Sequence, residues 1–597
     1  SPNMREVLEK FDFDNTISKL DEAGLLFLVV QRFGEVNLHP DLVDNPTMGT
    51  IFEELIRKFN EALNENPGEH FTPRDVVHLM VDLLIAGDEE RLRRKGVILT
   101  VYDPCCGSGG MLTIAKEHIT VGEWRGGGEQ LRPPVNPEAD VHLFGQEVNP
   151  ETWAVSKSDL YMKAVDGRDA ENIAFGSTLS NDRHAKRTLD YLIANPPYGK
   201  DWKRDEDAVR AEHERGRDGR FPAGLPRISD GQLLFLLHML AHMKETKEGG
   251  SRVAIIMNGS PLFTGDAGSG ESEIRRSILE SDLLEALIAL PEQLFYNTGI
   301  ATYVWVLTNR KRPEREGKVQ LIDATRFWIL LRKSLGAKRR EIPFEKKEDI
   351  LALLRSFTDG ETRTITEDGE ERELVVSRIY PTTHFGFRKI TVERPLRLDF
   401  QASPERIARL EEERAFRNLA VSRKRGAAKA RDEEAGRAEQ AAIRELLAGL
   451  PGDVYLHRDE FESVLGKAAR KAGVKLKAPI RKAILSALSE RNEKAEVCRH
   501  KDGNPEPDPE LRDTESVSLS ESVESFFERE VRPHVPDAWI DTSRRDPHDG
   551  EVGIVGYEIN FNRYFYEYRP PRPMEEIEAD IQAVEKEIVT MLREVAG

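Results

Sequence analysis

Cysteine is almost absent. Three residues in 597 cannot form a disulfide framework, and their placement fits no zinc pattern: Cys105 and Cys106 are adjacent and Cys498 is remote. A reducing, cytoplasmic setting is therefore expected, with no metal. No run of eighteen or more apolar residues occurs, so no helix is expected to span a membrane. The first residues, SPNMREVLEKF, lack the long apolar centre of a signal peptide. They begin abruptly on Ser-Pro and pass at once into a helical pattern, as a trimmed chain or the remnant of a longer helical domain would. Hydrophobic content is 39%, below the globular average of about 45–50%. No long internal repeat is found. Charged residues make up 32% of the chain, and the formal net charge of −19 argues against simple coating of nucleic acid or an anionic membrane. It leaves room for a local basic groove, because total charge does not say where charges lie.

The length suggests about three to four domains. Residues 1–95 read as a helical N-terminal region: Leu20, Leu25, Leu26, Val29 and Val30 recur at helical spacing, with Gly34 as a stop. Thr72 before Pro73 reads as an N-cap and first-turn pair for a helix over 75–85. From 96 to 330, short apolar runs alternate with helical stretches. The strand candidates are 97–102, 141–145, 189–194, 253–257, 284–290, 302–308 and 319–322. Seven such runs predict an α/β fold, a doubly wound and mostly parallel seven-stranded sheet. Two insertions interrupt it, Gly/Pro-rich at 122–140 and rich in charge and glycine at 201–230. Residues 331–400 read as a mixed extension, and 401–597 as a mostly helical C-terminal region. Its last helix repeats Met574, Ile577, Ile581, Val584, Ile588, Met591 and Val595 in steps of three and four, a heptad seam that seeks partner helices.

Two motifs sit where buried strands open into loops, the usual place for ligands in open α/β sheets. The first is Asp103-Pro104-Cys105-Cys106-Gly107-Ser108-Gly109-Gly110. Its glycines let backbone N–H groups approach a ligand and let the helix over 111–118 start tight against the sheet. No Walker lysine follows, so a nucleoside triphosphate is not expected. After the next strand, Glu147 can accept hydrogen bonds from ribose hydroxyls. It lies 40 residues beyond Gly107, against about 20 in dinucleotide folds, and the Gly/Pro-rich insertion accounts for the excess. Cys105 and Cys106 read as small packing residues.

The second motif, Asn195-Pro196-Pro197-Tyr198, follows the run LDYLIA. The exocyclic amine of adenine is planar because its lone pair is delocalised. The Asn195 side-chain oxygen and the Pro196 carbonyl can each accept one of its N–H groups, which favours a pyramidal nitrogen. The prolines fix the chain direction and keep that carbonyl free, and Tyr198 offers a ring for stacking. A methyl sulfonium, as in S-adenosylmethionine, is the matching electrophile. Attack would be direct, with positioning and electrostatics supplying most of the rate. A base inside a duplex would first have to be flipped out.

In combination, FTPR at 71–74, DPCCGSGG at 103–110, FGQE at 144–147 and NPPYG at 195–199 resemble the S-adenosylmethionine-dependent N6-adenine DNA methyltransferases, a class I, Rossmann-like fold. Longer stretches narrow the resemblance to the modification subunits of type I restriction–modification systems: MGTIFEELIRKFNEALNENPGEHFTPRDVV, GRFPAGLPRISDGQLLFLLHM, GSRVAIIMNGSPLFTGDAGSGESEIRRSILE, LFYNTGIATYVWVLTN, and the tail from RDTESVSL to NRYFYEYRPPRPMEEIEADI. The resemblance implies that Phe71, Thr72 and Pro73 lie at the methionine end of the cofactor. Asp103, Cys105, Gly107, Ser108, Gly109 and Gly110 would line it, and Glu147 would bind its ribose. Asn195, Pro196, Pro197 and Tyr198 would hold the adenine, with Phe295, Asn297 and Thr298 near the flipped base. Where the family usually carries Asn or Asp before Thr-Leu, this chain has Gly176-Ser177-Thr178-Leu179. Ser177, Thr178 and Leu179 would meet the cofactor's adenine, with Asp182 or a backbone group substituting for the missing residue. The family also usually has a longer helical N-terminal region.

Lys203, Arg204, Arg215, Arg217, Arg220 and Arg227 follow the catalytic loop. With Gly216, Gly219 and Gly224 they suggest a mobile basic loop that touches DNA phosphates, although Glu206, Asp207, Glu212 and Glu214 dilute its charge. No segment reads as an independent base-reading module. Double-stranded DNA, a separate specificity subunit, a second modification subunit and a restriction nuclease/translocase subunit are the partners the resemblance implies, with the heptad helix as docking element. A self-sufficient DNA methyltransferase, or an enzyme acting on RNA or a protein glutamine, is the alternative reading.

Overall fold

A computed structural model describes residues 9, 13–39, 42–43, 51, 72–125, 129–163, 167–296, 298–367, 370–422, 424–566 and 573–596. The chain divides into two compact units, Ser1–Gly386 with Gly556–Gly597, and Phe387–Val555. These bounds differ from the divisions at 330/331 and 400/401 expected from the sequence. Part of the reason is that a strand at 377–381 pairs back onto the main sheet, a long-range contact that composition does not register.

The first unit is built on one nine-stranded sheet. Its strands are β1 (Ile98–Asp103), β2 (Asp140–Glu147), β3 (Ile173–Phe175), β4 (Tyr191–Ala194), β5 (Arg252–Asn258), β6 (Leu284–Ala289), β7 (Thr302–Thr308), β8 (Lys318–Asp323) and β9 (Ser377–Pro381). Their spatial order is β3-β2-β1-β4-β5-β7-β6-β8-β9. β7 runs antiparallel to both neighbours, β9 runs antiparallel to β8, and every other pairing is parallel. All seven sequence candidates are present. The sheet has nine strands rather than seven because β3, only three residues long, and β9, at the edge, were not anticipated. β6 and β7 are buried at every position, which is why both read as mostly apolar runs, the mark of strands covered on both faces; the exception, Glu285 in β6, is paired with buried Arg252.

The helices of this unit include α1 (Arg74–Ile85), α2 (Gly110–Thr120), α3 (Pro150–Lys163), α4 (Glu206–Glu214), α5 (Gln232–Ala241) and α6 (Gly270–Glu280). α1 buries nine of its twelve residues, and it packs against α2 and β5. Strand order reverses between β1 and β4, which are paired at Val101↔Tyr191. The residues just after both strands therefore emerge side by side at their carboxyl ends, the position of ligand sites in such sheets.

The insertion at 201–230 is not the mobile loop that its glycines suggested. Trp202, Val209 and Phe221 are buried beneath it. A Cβ on Gly219 would lie 1.9 Å from the Glu212 carbonyl oxygen, and one on Gly270, at the start of α6, 1.7 Å from that of Leu225. Glycine here serves close backbone approach rather than freedom. The insertion at 122–140 forms a small hairpin, Glu123–Arg125 with Glu129–Arg132.

The helices Phe13–Glu22 and Leu26–Gly34 fit the expected helical start, and none of their residues is buried. The second unit gathers Ala427–Ala448, Arg458–Ala472 and Ala478–Leu488 around Phe400, Phe416 and Phe461. It also holds a sheet pairing Phe387–Val392 with Asp513–Ser518, so this part of the chain is less helical than expected.

Candidate active site

Asn195 follows β4 directly, and its amide is held at both ends. Nδ2 donates to the Thr72 hydroxyl at 2.9 Å, and Oδ1 accepts from the Tyr198 hydroxyl at 2.6 Å. Thr72 is therefore not a helix cap. Pro73 takes the N-cap position of α1, and no side chain caps that end. Thr72 Oγ1 also lies 4.0 Å from the Met111 sulfur on α2. The Tyr198 ring meets Phe295 edge-on, with centroids 6.2 Å apart. Burial pushes the Tyr198 phenol well up, helped by the neighbouring Cys105 thiol. Tyr198 thus stays protonated and donates its hydrogen bond to Asn195. These contacts bring the two sequence motifs together: Asn195 reaches α2 through Thr72, and Cys105 is near enough to Tyr198 for its charge to act on the phenol.

The glycine turn is built around two carboxylates. Gly109 caps α2 in the left-handed region at φ +82°, and a Cβ there would lie 2.6 Å from Ser156 Oγ. Gly107 also has positive φ, and its N–H donates to Glu147 Oε2 at 3.0 Å. The other Glu147 oxygen accepts from Asn149 N at 2.7 Å, and Asp103 Oδ1 accepts from Cys105 N at 2.9 Å. Burial pushes Asp103 up to about 7; the hydrogen bond from Cys105 opposes this and the charge of Glu147 adds to it. Two acids at the ends of adjacent strands form an acceptor-rich, electronegative cradle. That donor set suits a cation with hydroxyl donors, and S-adenosylmethionine, a sulfonium bearing an ammonium and a ribose, has that chemistry.

The 176–183 loop is tied down from both sides. Thr178 Oγ1 donates to the Pro104 carbonyl, and Gln146 Nε2 donates to the carbonyls of Gly176 and Asn181 at 3.1 and 2.8 Å. Ser177 is half-buried and Leu179 buried. Asp182 accepts from His184 N and binds His242 Nε2 at 2.9 Å. Both of its oxygens are engaged, so it is a brace for this region rather than a free reader of an adenine edge.

Arg220 is also placed differently from the sequence expectation. It donates to the carbonyls of Thr178 (2.6 Å) and Leu179 (2.8 Å), to Glu212, and to His238 Nδ1 at 2.9 Å. Burial, with His242 and Arg220 adding to it, holds His238 neutral. Its Nδ1 therefore accepts, and its Nε2 faces the Tyr102 hydroxyl at 2.9 Å. With its side chain 10% exposed, Arg220 is a buckle on the Thr178–Leu179 backbone and does not present itself to phosphates. The sequence signal that could have indicated this is Glu212, eight residues away across a glycine turn.

Lys203, Arg204 and Arg217 are exposed on the same insertion, while Arg227 donates to Ser260 Oγ. Pro196 is buried and Pro197 half-buried; Cys105, Ser108 and Gly110 are half-buried along the glycine turn. Phe295 is buried and Thr298 half-buried, its hydroxyl accepting from Ile300 N. Phe71 and Asn297 lie outside the described residues. Sequence reasoning missed Gln146, Met111 and the inward role of Arg220.

A sheet of this order, with β7 reversed between β5 and β6, has the architecture of class I S-adenosylmethionine-dependent methyltransferases. The N-6 DNA methylase family model matches residues 43–367, more than half of the chain, and the chain belongs to that family. It is similar to the methylase subunit of type I restriction enzyme MjaIX from Methanocaldococcus jannaschii, 26% identical over 344 residues that cover 58% of this chain and 55% of that one. The HindI methylase subunit of Haemophilus influenzae is 29% identical over 278 residues, 46% of this chain and 54% of that one. The chain spans about half the length of the curated relatives it matches. A crystal structure of a type I restriction-modification system methyltransferase subunit from Streptococcus thermophilus aligns over 59% of this chain and 62% of that one, at 25% identity and a TM-score of 0.43. No helix among the described residues is long and apolar enough to cross a membrane.

Proposed function

We propose that this chain methylates the N6 amine of an adenine flipped out of double-stranded DNA, as the modification subunit of a type I restriction–modification complex. The observation that carries this reading is the junction at Thr72, where the Asn-Pro-Pro-Tyr loop meets the helix that leaves the glycine turn. A methyl donor seated over Asp103 and Glu147 would then lie beside Asn195. S-adenosylmethionine supplies an electrophilic methyl on sulfur. The protein's part is to hold and exclude: Asn195 Oδ1 and the Pro196 carbonyl accept the two amine protons, which turns the nitrogen lone pair outward. Tyr198 and Phe295 form the apolar wall against which the base rests. Preorganised acceptors of this kind need no rearrangement during reaction.

Lys203, Arg204 and Arg217, exposed beside the catalytic loop, are the proposed phosphate contacts. The helix Met574–Ala596 supports dependence on a specificity subunit. Met574, Ile577, Ile581, Val584, Ile588 and Met591 are all exposed, an apolar seam of the kind that pairs with another helix. A second modification subunit and a nuclease/translocase subunit belong to the same proposal.

The test is transfer of labelled methyl to duplex DNA by the full chain, with and without the proteins that copurify with it. Asn195→Ala should keep cofactor affinity and leave only residual transfer, whereas Glu147→Ala should weaken cofactor binding. Transfer to RNA or protein instead of DNA, or loss of DNA affinity alone in both variants, overturns the assignment.

A further inference from the structure

The Asn195 amide can rotate about a broad, two-fold torsion, and its two ends are chemically opposite. Only the carbonyl end can accept an amine proton; the reversed amide would present N–H to N–H. Something must therefore fix which end faces the base. We infer that Thr72 is the positioning residue that sets the orientation of the Asn195 amide, and that this, beyond any contact with the cofactor, is what its hydroxyl does for transfer. The inference rests on the proposed role of Asn195.

Three observations support it. The Thr72 oxygen lies 2.9 Å from Asn195 Nδ2. Its hydroxyl lies 4.0 Å from the Met111 sulfur, a weak acceptor for its proton, which leaves the Thr72 oxygen free to accept from the N–H end of the amide. At the opposite end the Tyr198 hydroxyl donates to Oδ1, so the two hydroxyls specify the same orientation. Oδ1 keeps a second lone pair for the substrate amine. Thr72 itself is held firmly. Buried Pro73 follows it with restricted φ, and the first turn of α1 is pinned where Asp75 accepts from Lys338 Nζ at 3.0 Å and from Ile342 N at 2.9 Å.

The test compares Thr72→Val, which keeps the shape and removes the acceptor, with Thr72→Ser, which keeps the hydroxyl. The full chain is used with its copurifying partners. Single-turnover methyl transfer is measured at saturating S-adenosylmethionine, and cofactor Kd by calorimetry. Thr72→Val should slow transfer roughly tenfold, the worth of one hydrogen bond of about 1.4 kcal/mol, with cofactor Kd within about threefold of the parent. Thr72→Ser should recover most of the rate. In an Asn195→Ala background the Thr72→Val change should have no further effect on residual transfer, because it acts through Asn195.

A Thr72→Val enzyme that binds cofactor weakly but regains its full rate at saturation would make Thr72 a cofactor contact and overturn the inference. So would an unchanged rate, or failure of Thr72→Ser to rescue. If Thr72→Val fails to fold, Thr72→Ala is read by the same rate and affinity split. An Asn195→Ala enzyme that still transfers at the parent rate would instead overturn the proposed role of Asn195, a result separate from any Thr72 outcome.

Discussion

Arg220 offers the sharpest test, because sequence pattern and structure assign it opposite work. Replacement by Ala removes a guanidinium that bridges the Thr178 and Leu179 carbonyls, Glu212 and His238. Glu212, held below the usual carboxylate range mainly by Arg220 against the opposing effect of its partial burial, would lose its ion-pair partner. Breaking a buried pair from one side costs about 3–5 kcal/mol. Glu212 keeps 17% of its side chain exposed, so about 2–3 kcal/mol is the better expectation. That cost falls on the loop beside the glycine turn. If half of it reaches the bound cofactor, Kd for S-adenosylmethionine should rise about five- to tenfold. DNA affinity should change little, and the slope of its logarithm against log salt not at all. A true phosphate contact behaves in the opposite way: its loss weakens binding to every sequence and reduces the salt slope by about 0.9. Calorimetry with S-adenosylmethionine and DNA titrations at several salt concentrations separate the two. Unchanged cofactor affinity with a shallower salt slope would refute the buckle.

Three further outcomes follow from other parts of the first unit. Asp103, pushed up to about 7 by burial and then by Glu147, should bind a cationic cofactor better when ionised. The ionised fraction rises from about 0.1 to about 0.9 between pH 6 and 8, so affinity should strengthen about tenfold over that range. Asp103→Asn, which keeps the acceptor for Cys105 N–H, should flatten the profile measured by calorimetry. Gly270→Ala should force the 201–230 segment away from α6, because its Cβ would lie 1.7 Å from the Leu225 carbonyl. A loss of about 1–3 kcal/mol or more and faster proteolysis within 201–230 are expected. Glu285→Leu should strip the buried Arg252 of its 2.6 Å partner and cost about 3–5 kcal/mol. The double replacement Arg252→Met with Glu285→Leu should be far milder in urea titrations, and equal losses in both would show that the ion pair is not the source.

What was legible in the sequence, and what was not, follows from the range over which each interaction acts. β5, β6 and β7 declared themselves because strands covered on both faces are mostly apolar along their length. β3 is Ile-Ala-Phe, too short for any periodicity, and β9 is the polar edge segment Ser377–Pro381, whose place depends on pairing with β8. The placing of Glu147 and Asn195 at strand ends was legible because each follows or closes an apolar strand beside a turn motif. Thr72 and Arg220 were misread for the same physical reason as each other. Threonine before proline has a local use as a cap, and arginine among glycines has a local use as a solvated charge. In this fold each is claimed by a stronger partner far along the chain, Thr72 by Asn195 at a separation of 123 residues and Arg220 by the carbonyls 41 and 42 residues before it. The glycines at 219 and 270 show the same ambiguity, since the lack of a side chain permits either freedom or close contact, and only the opposing carbonyl decides which. A strand end can thus be read from one stretch of sequence, but the hydroxyl or guanidinium that orients it comes from another stretch and needs the fold to reach it.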